Sequence, residues 1–389
     1  MTESFGTLNP SPRLLLGPGP SEIAPRVLRA CATPLLGYLD PEYVALMDQT
    51  QVLLRDVFET DNEWTMCVPG TGMAGMEAAF ISAFDPGDDV LVCVSGVFGE
   101  RMVDVAQRAG ARVTRVDAEW GTAIQPEQVA QALRGVEAKL VAIVHAETST
   151  GVLQPLDEIG ALAHEAGALF VVDCVTSLGG MPVSVDARRI DIAYSCTQKC
   201  IGAPPSLSPL TMSDAAVQAY KARKAPAQSF YLDPGQIWRY WGPERAYHQT
   251  GMINMVYALR EALLMVKEEG LEARYARHVR NQQALIAGLQ AMGLRPAVED
   301  PAIRLPSLTT VFVPEGVDDR AVRGGLLQKY GIEIGGGLGK YAGKAWRVGL
   351  MGYASQRSNV MLLLSALGDL LANERVDEGL AAASQVYAA

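Results

Sequence analysis

The sequence predicts an α/β protein in which a mainly parallel, doubly wound sheet is followed by a smaller α+β unit. Three observations carry this. Between residues 66 and 194, short β-rich apolar runs alternate with helical patterns, the rhythm of consecutive βα units. The runs are continuously apolar, as at 90–94 and 168–172, which marks strands covered on both faces. Past about residue 270 this rhythm gives way to long helical stretches and isolated strands.

The elements follow in order. Residues 1–20 read as an irregular arm ending in Gly17-Pro18-Gly19-Pro20. A strand at 66–68 enters a Gly-rich turn and a helix over about 74–84. A strand at 90–94 precedes a helix through Met102 to Arg108, and 113–116 is the next strand. The helix at 125–133 carries Pro126 near its start, where a missing N–H costs nothing. A strand at 140–145 leads to a helix at 159–166 that Gly167 stops. The run 168–172 closes on Asp173, and 190–194 is a further short strand. Parallel neighbours require right-handed crossovers. Helices at about 255–268 and 272–292, stopped by Gly270 and Gly293, are expected to form the hinge into the second unit. There we expect strands at 308–313 and 346–350, a helix at 319–330 and a final helix at about 358–371. The expected organisation is an arm over 1–20, a large domain over 21–270 and a small domain over 271–389.

Composition narrows the functions. With 49% hydrophobic and 20% charged residues, the 389-residue chain has ample core for such domains. A net charge of -10 argues against nucleic acid or an anionic membrane as partner. Small anions remain open, because a local Arg or Lys suffices to bind them. The six Cys form no C-x-x-C pair and have no His cluster beside them, so no metal is expected. They read as small core residues in a reducing cytoplasm. The polar residues 1–11 lack the apolar segment of a secretory signal, and no run approaches the length of a membrane span.

The chemistry centres on Asp173 and Lys199. A strand-terminal Asp is usually a cap or turn residue, and a Lys usually a solvated charge. Here the Lys sits in Ser195-Cys196-Thr197-Gln198-Lys199-Cys200, followed by the uncharged turn 202–206. Such surroundings desolvate an amine and lower its pKa. An open α/β sheet binds ligands outside the carboxyl ends of its strands. A Lys and an acid delivered there match pyridoxal phosphate, which needs an amine for covalent attachment and an acid for its ring nitrogen. The turn Pro69-Gly70-Thr71-Gly72-Met73-Ala74-Gly75 opens a helix, and its glycines, the hydroxyl of Thr71 and free N–H groups suit a phosphate. It is neither a P-loop nor a dinucleotide fingerprint. Gln198 offers a further amide to the phosphate. Phe98, in a turn after a strand, either stacks on the ring or packs its helix on the sheet. Thr148, in the polar segment 145–151, either bonds the ring hydroxyl or caps local backbone. Arg347, inside an apolar strand, either grips a substrate carboxylate or makes a structural salt bridge.

Taken together these residues resemble the fold-type I, class V aminotransferases, close to the alanine–glyoxylate and serine–pyruvate enzymes. The resemblance spans nearly the whole chain. It rests on 17–20, 70–73, 145–155, Val172-Asp173, 177–180, Gln198-Lys199, 203–205, 229–233, Tyr247-His248 and 335–339. It implies that Lys199 holds the cofactor and shuttles the reacting proton, while Asp173 pairs with the ring nitrogen. Phe98 stands where the family places a stacking aromatic. Thr71, Gly72, Met73 and Gln198 would line the phosphate side, with Tyr247 and Thr250 reaching in from a second subunit of a homodimer. The arm would cross to that partner. Arg347, Gly19 and Thr148 would meet the substrate, a small amino acid or 2-oxo acid. Departures are Met73 and Tyr38, where many relatives carry His, Thr197, where Ser is usual, and the loop 206–208. Two rival activities share the fold. Desulfuration needs a late nucleophilic Cys, and none follows Cys200. Aldol-type cleavage of a β-hydroxy amino acid stays open. A non-catalytic relative would have lost Lys199 or Asp173.

Overall fold

The apolar runs become strands because their β-branched side chains fill both faces of a layered sheet. The computed structural model describes residues 6–388. Residues 1–5, the start of the expected arm, and Ala389 lie outside it. The strands in chain order are β1 (Leu14–Leu15), β2 (Trp64–Pro69), β3 (Asp89–Val94), β4 (Arg112–Asp117), β5 (Ala138–Val144), β6 (Ala146–Glu147) and β7 (Val152–Leu153). They continue with β8 (Leu169–Asp173), β9 (Ile192–Tyr194), β10 (Leu207–Met212), β11 (Leu308–Phe312), β12 (Ile332–Glu333), β13 (Gly335–Gly336) and β14 (Ala345–Gly349). Seven form the central sheet, in the order β2-β10-β9-β8-β5-β3-β4. The pairs β3/β4, β3/β5, β5/β8 and β8/β9 are parallel, and β10 runs antiparallel to both β2 and β9. The polar ends of β8 and β9 therefore lie side by side, with Asp173 in register with Tyr194.

Helices α1 (Pro25–Cys31) and α2 (Pro41–Phe58) precede the sheet and did not emerge from the pattern. The start signal of α2 is present in the sequence: Asp40 caps the N–H of Glu42 at 2.8 Å, and Pro41 takes the first turn. Helices α3 (Gly72–Ala83) and α4 (Val97–Arg108) leave the ends of β2 and β3.

A first hydrophobic core, from Ala24 to Val266, packs helices on both sheet faces. A second gathers Leu16, Leu285, Val311, Trp346, Leu363 and Ala383 around the sheet β11-β14-β13. Two expectations for this region need correction. The helix over Arg357–Leu370 is not the last, since Val376–Ala388 forms another. That helix approaches Leu271–Ala291 through Gly379 and Gly288, where a Cβ on Gly379 would stand 3.0 Å from the Gly288 carbonyl. The helix expected at 319–330 is regular only over Asp319–Gly325, and then widens through Leu326–Tyr330.

Candidate active site

Asp173 ends β8, and burial leaves it 3% exposed. One oxygen accepts the N–H of Val175 at 2.8 Å and the other the hydroxyl of Tyr194 at 3.0 Å. Among the described residues no cation pairs with it. Burial pushes its carboxyl up to about 7, against the opposing pull of the two hydrogen bonds and of Lys199. Lys199 follows β9 in a tight turn. Burial lowers its ammonium pKa, and the Arg347 charge acts in the same direction.

The arm closes over this lysine. Its Nζ donates to the carbonyl of Pro18, and the backbone N–H of Ser21 donates to Gln198 O at 2.8 Å. The Ser21 hydroxyl donates to Lys199 O at 2.7 Å. Gly19, at φ +120°, lies flat on the lysine: a Cβ there would sit 2.5 Å from Nζ. Pro18 also packs on Gly335, whose Cα pairs with Arg347, so the arm links the lysine to the arginine strand.

The start of α3 forms an anion cradle. Gly70 at φ +122° turns the chain, and Thr71 stands at the N-cap without a side-chain capping bond. Its hydroxyl and the first N–H groups of the helix are left for a ligand. Gly72 faces Val175 and Cys196, with a Cβ position 2.8 Å and 3.4 Å from their side chains. That places the cradle between the segments of Asp173 and Lys199. The side-chain oxygen of Gln198 is buried without a partner. Met73 is half-buried, its sulfur 3.8 Å from Arg101 Nη1. Phe98, also half-buried, sits in the first turn of α4 under the Arg101 guanidinium, 4.9 Å from the ring centre.

Arg347 lies on β14 between β11 and β13 and is 7% exposed. Nε donates to Gly336 O at 2.7 Å and Nη1 to Thr148 O at 3.3 Å. Among the described residues no carboxylate pairs with it, so the salt-bridge alternative drops out. Burial lowers its pKa to about 10, against the field of Glu147. A buried guanidinium held only by carbonyls is set to take an anion. Thr148 is buried and supplies one of those carbonyls. Tyr247 and Thr250 stand apart on the surface of this chain, with Tyr247 against Tyr38 at 5.1 Å between ring centres.

Sequence reasoning missed Tyr194, Pro18 and Ser21 around the central pair, and Glu147 beneath Phe98. Only strand register, which pairs Asp173 with Tyr194, would have signalled the first. A cavity of about 820 Å³ between 119–126 and 295–303 is lined by none of the candidate residues.

These residues fit pyridoxal phosphate. A buried acid lacks a cation, a desolvated amine feels its charge, and a helix start offers free N–H groups and an uncommitted Thr71 hydroxyl. The chain is 40% identical over 397 residues to the (S)-ureidoglycine–glyoxylate transaminase of Bacillus subtilis (strain 168), covering 96% of this chain and 95% of the relative. It is 42% identical over 362 residues to the alanine–glyoxylate aminotransferase of Callithrix jacchus, covering 92% and 87%. The solved alanine–glyoxylate aminotransferase of Nostoc sp. superposes with a TM-score of 0.93 at 47% identity, covering 95% and 98%. Residues 21–357 match the aminotransferase class-V family, and the chain belongs to that family.

Proposed function

We propose that this chain transfers the amino group of a small amino acid, alanine or serine, to glyoxylate or pyruvate by a two-step, ping-pong route. Three buried groups with unmet demands, two at the end of the central sheet and one on β14, carry the reading. They are the depressed amine of Lys199, the cation-free acid Asp173 and the carboxylate-free guanidinium of Arg347. Both kinds of curated relative name glyoxylate, while their donors differ. That supports the acceptor more strongly than the donor.

Pyridoxal phosphate, when bound, supplies the electron-withdrawing ring on which amino-group transfer depends. The rest is the work of this chain. Lys199, whose burial favours the neutral amine, is the nucleophile and then the carrier of the substrate Cα proton. Asp173 is charged when a cationic ring nitrogen is beside it. The start of α3, with Thr71, Gly72 and Gln198, holds the phosphate, and Met73 borders it. Phe98 covers a ring face. Arg347 takes the substrate carboxylate, with Gly19 and Thr148 beside it. Lys199→Ala should abolish turnover with every donor. Turnover in that variant at the parent rate would refute the assignment.

The same reading makes the protein a homodimer, with Tyr247 and Thr250 completing the partner's phosphate site. The exposed rings of Phe230, Tyr231 and Tyr247 support it, because they cluster around His248 and clustered exposed rings mark interaction surfaces. A monomer by sedimentation, active at all concentrations, would contradict it. All six cysteines are free, and among the described residues no helix is long and apolar enough to cross a membrane. The free thiols fit the cytoplasmic location we propose.

A further inference from the structure

Neither the cofactor nor the substrate assignment accounts for Glu147. It is completely buried at the end of β6, among uncharged neighbours in sequence. Its carboxylate accepts four hydrogen bonds. One oxygen takes the backbone N–H of Phe98 at 3.0 Å and of Gly99 at 3.3 Å. The other takes the N–H of Ser149 at 3.0 Å and its hydroxyl at 2.6 Å. The Ser149 oxygen in turn accepts the N–H of Val97 at 2.9 Å. Three successive N–H groups at the start of α4 are thus satisfied from β6 and the turn that follows it.

The local sequence explains why. The N-cap of α4 is Gly96, which has no side chain to offer. A Cβ on Gly96 would fall 2.3 Å from Ser149 Oγ and 2.6 Å from the Glu147 carboxyl carbon. The glycine makes room for a cap supplied from outside. A carboxylate at a helix N-terminus meets both free donors and the positive end of the dipole. Burial raises its carboxyl pKa while these hydrogen bonds pull it back down, and in the ionised form they are charge-assisted, directional and strong. Phe98 belongs to the turn so fixed.

We propose that Glu147 is a positioning residue, which fixes Phe98 against the cofactor ring by capping α4 across the gap that Gly96 leaves. The proposal rests on the reading that Phe98 stacks on pyridoxal phosphate. The charge of Glu147 also reaches the neighbouring site, where it favours the protonated forms of Asp173 and Arg347.

A double-mutant cycle with Glu147→Gln and Phe98→Ala tests it. The readouts are the visible circular dichroism of the full-length holoenzyme and the pyridoxal phosphate concentration for half-reconstitution. Gln keeps the volume but turns an NH₂ toward donors. Each single variant should weaken cofactor binding about tenfold, the loss expected for a charged hydrogen bond or a stacking contact. Each should also reduce the dichroic band. The double variant should be no weaker than Phe98→Ala by more than about twofold, because the two act as one unit. Gly96→Ala should reproduce Glu147→Gln. Parent-like affinity and dichroism in Glu147→Gln overturn the proposal, and so does full additivity. If Phe98→Ala itself binds like the parent, the stacking reading fails and takes the proposal with it. Should Glu147→Gln not fold, Ser149→Ala loosens the same cap. It should show a smaller loss that vanishes in the Phe98→Ala background, and a loss that persists there overturns the proposal.

Discussion

Arg347 is a buried cation whose charge no described carboxylate answers, and we propose that it takes the substrate carboxylate. Its three-dimensional partners are two carbonyls, which orient the guanidinium and leave its charge unanswered. Lysine there would keep the charge and lose the planar fork. Arg347→Lys should raise KM for L-alanine about 10–100-fold, the worth of one charged hydrogen bond, with a smaller change in kcat. An unchanged KM would remove the residue from the substrate site. Asp173 makes a prediction about pH. Its carboxyl titrates at about 7 in the folded protein, above its ordinary value of about 3.9. Without cofactor, the folded state keeps a proton that the unfolded chain has already lost. Its contribution to stability is therefore greatest at low pH and declines from about pH 4 through 7. Cofactor-free Asp173→Asn should gain stability relative to the parent between pH 5 and pH 8, read as thermal midpoints. A constant difference would contradict the burial argument. Lys199 and Asp173 were legible because each breaks an apolar context at a strand end. Arg347 was legible as an anomaly, although its lack of a carboxylate was not. The cap that Glu147 provides was illegible, because Phe98 lies 49 residues earlier and nothing local marks the pair.

Among the elements, α3 carries the uncapped start at which we propose the phosphate binds. It crosses the sheet closely because residue 75 is glycine: a Cβ there would stand 1.9 Å from Ser208 Oγ and 3.3 Å from Tyr194 Cβ. Gly75→Ala should cost about 1–3 kcal/mol in chemical denaturation, the usual price of overpacking. It should also weaken cofactor binding, and adding Ser208→Gly should recover part of both. No recovery would mean that the contact does not set the helix. The strand that makes this contact, β10, was hidden. Pro209 sits in its centre, and a proline argues against a central strand. The chain tolerates it because its carbonyl bonds Ser195 N at 2.8 Å, just past the end of β9, so the missing N–H falls where that ladder stops. The parallel strands, whose runs are unbroken, were read within a few residues of their bounds. The helix Val376–Ala388 was missed because its alanines and glycine give little apolar periodicity.

At the scale of the whole molecule, one short segment joins two cores to one site. Leu16 is buried in the second core and accepts the N–H of Gly349 at 2.8 Å, while Pro18, Gly19 and Ser21 meet Lys199. Movement of the second core relative to the sheet would thus be felt at the lysine. The amine, the acid and the arginine come from distant stretches of chain and converge only because the strand order puts β8 and β9 together and the arm ties β14 to them. The sequence carried the two halves of this arrangement, and folding supplied the strap. The account stands or falls on whether that convergence handles an amino group. The direct test is the visible absorption of the purified protein on adding L-alanine and then glyoxylate, with L-serine and pyruvate in parallel. The account predicts a yellow chromophore that bleaches with the amino acid and returns with the oxo acid. A protein that stays colourless with added pyridoxal phosphate, or a colour that no amino acid bleaches, would contradict it.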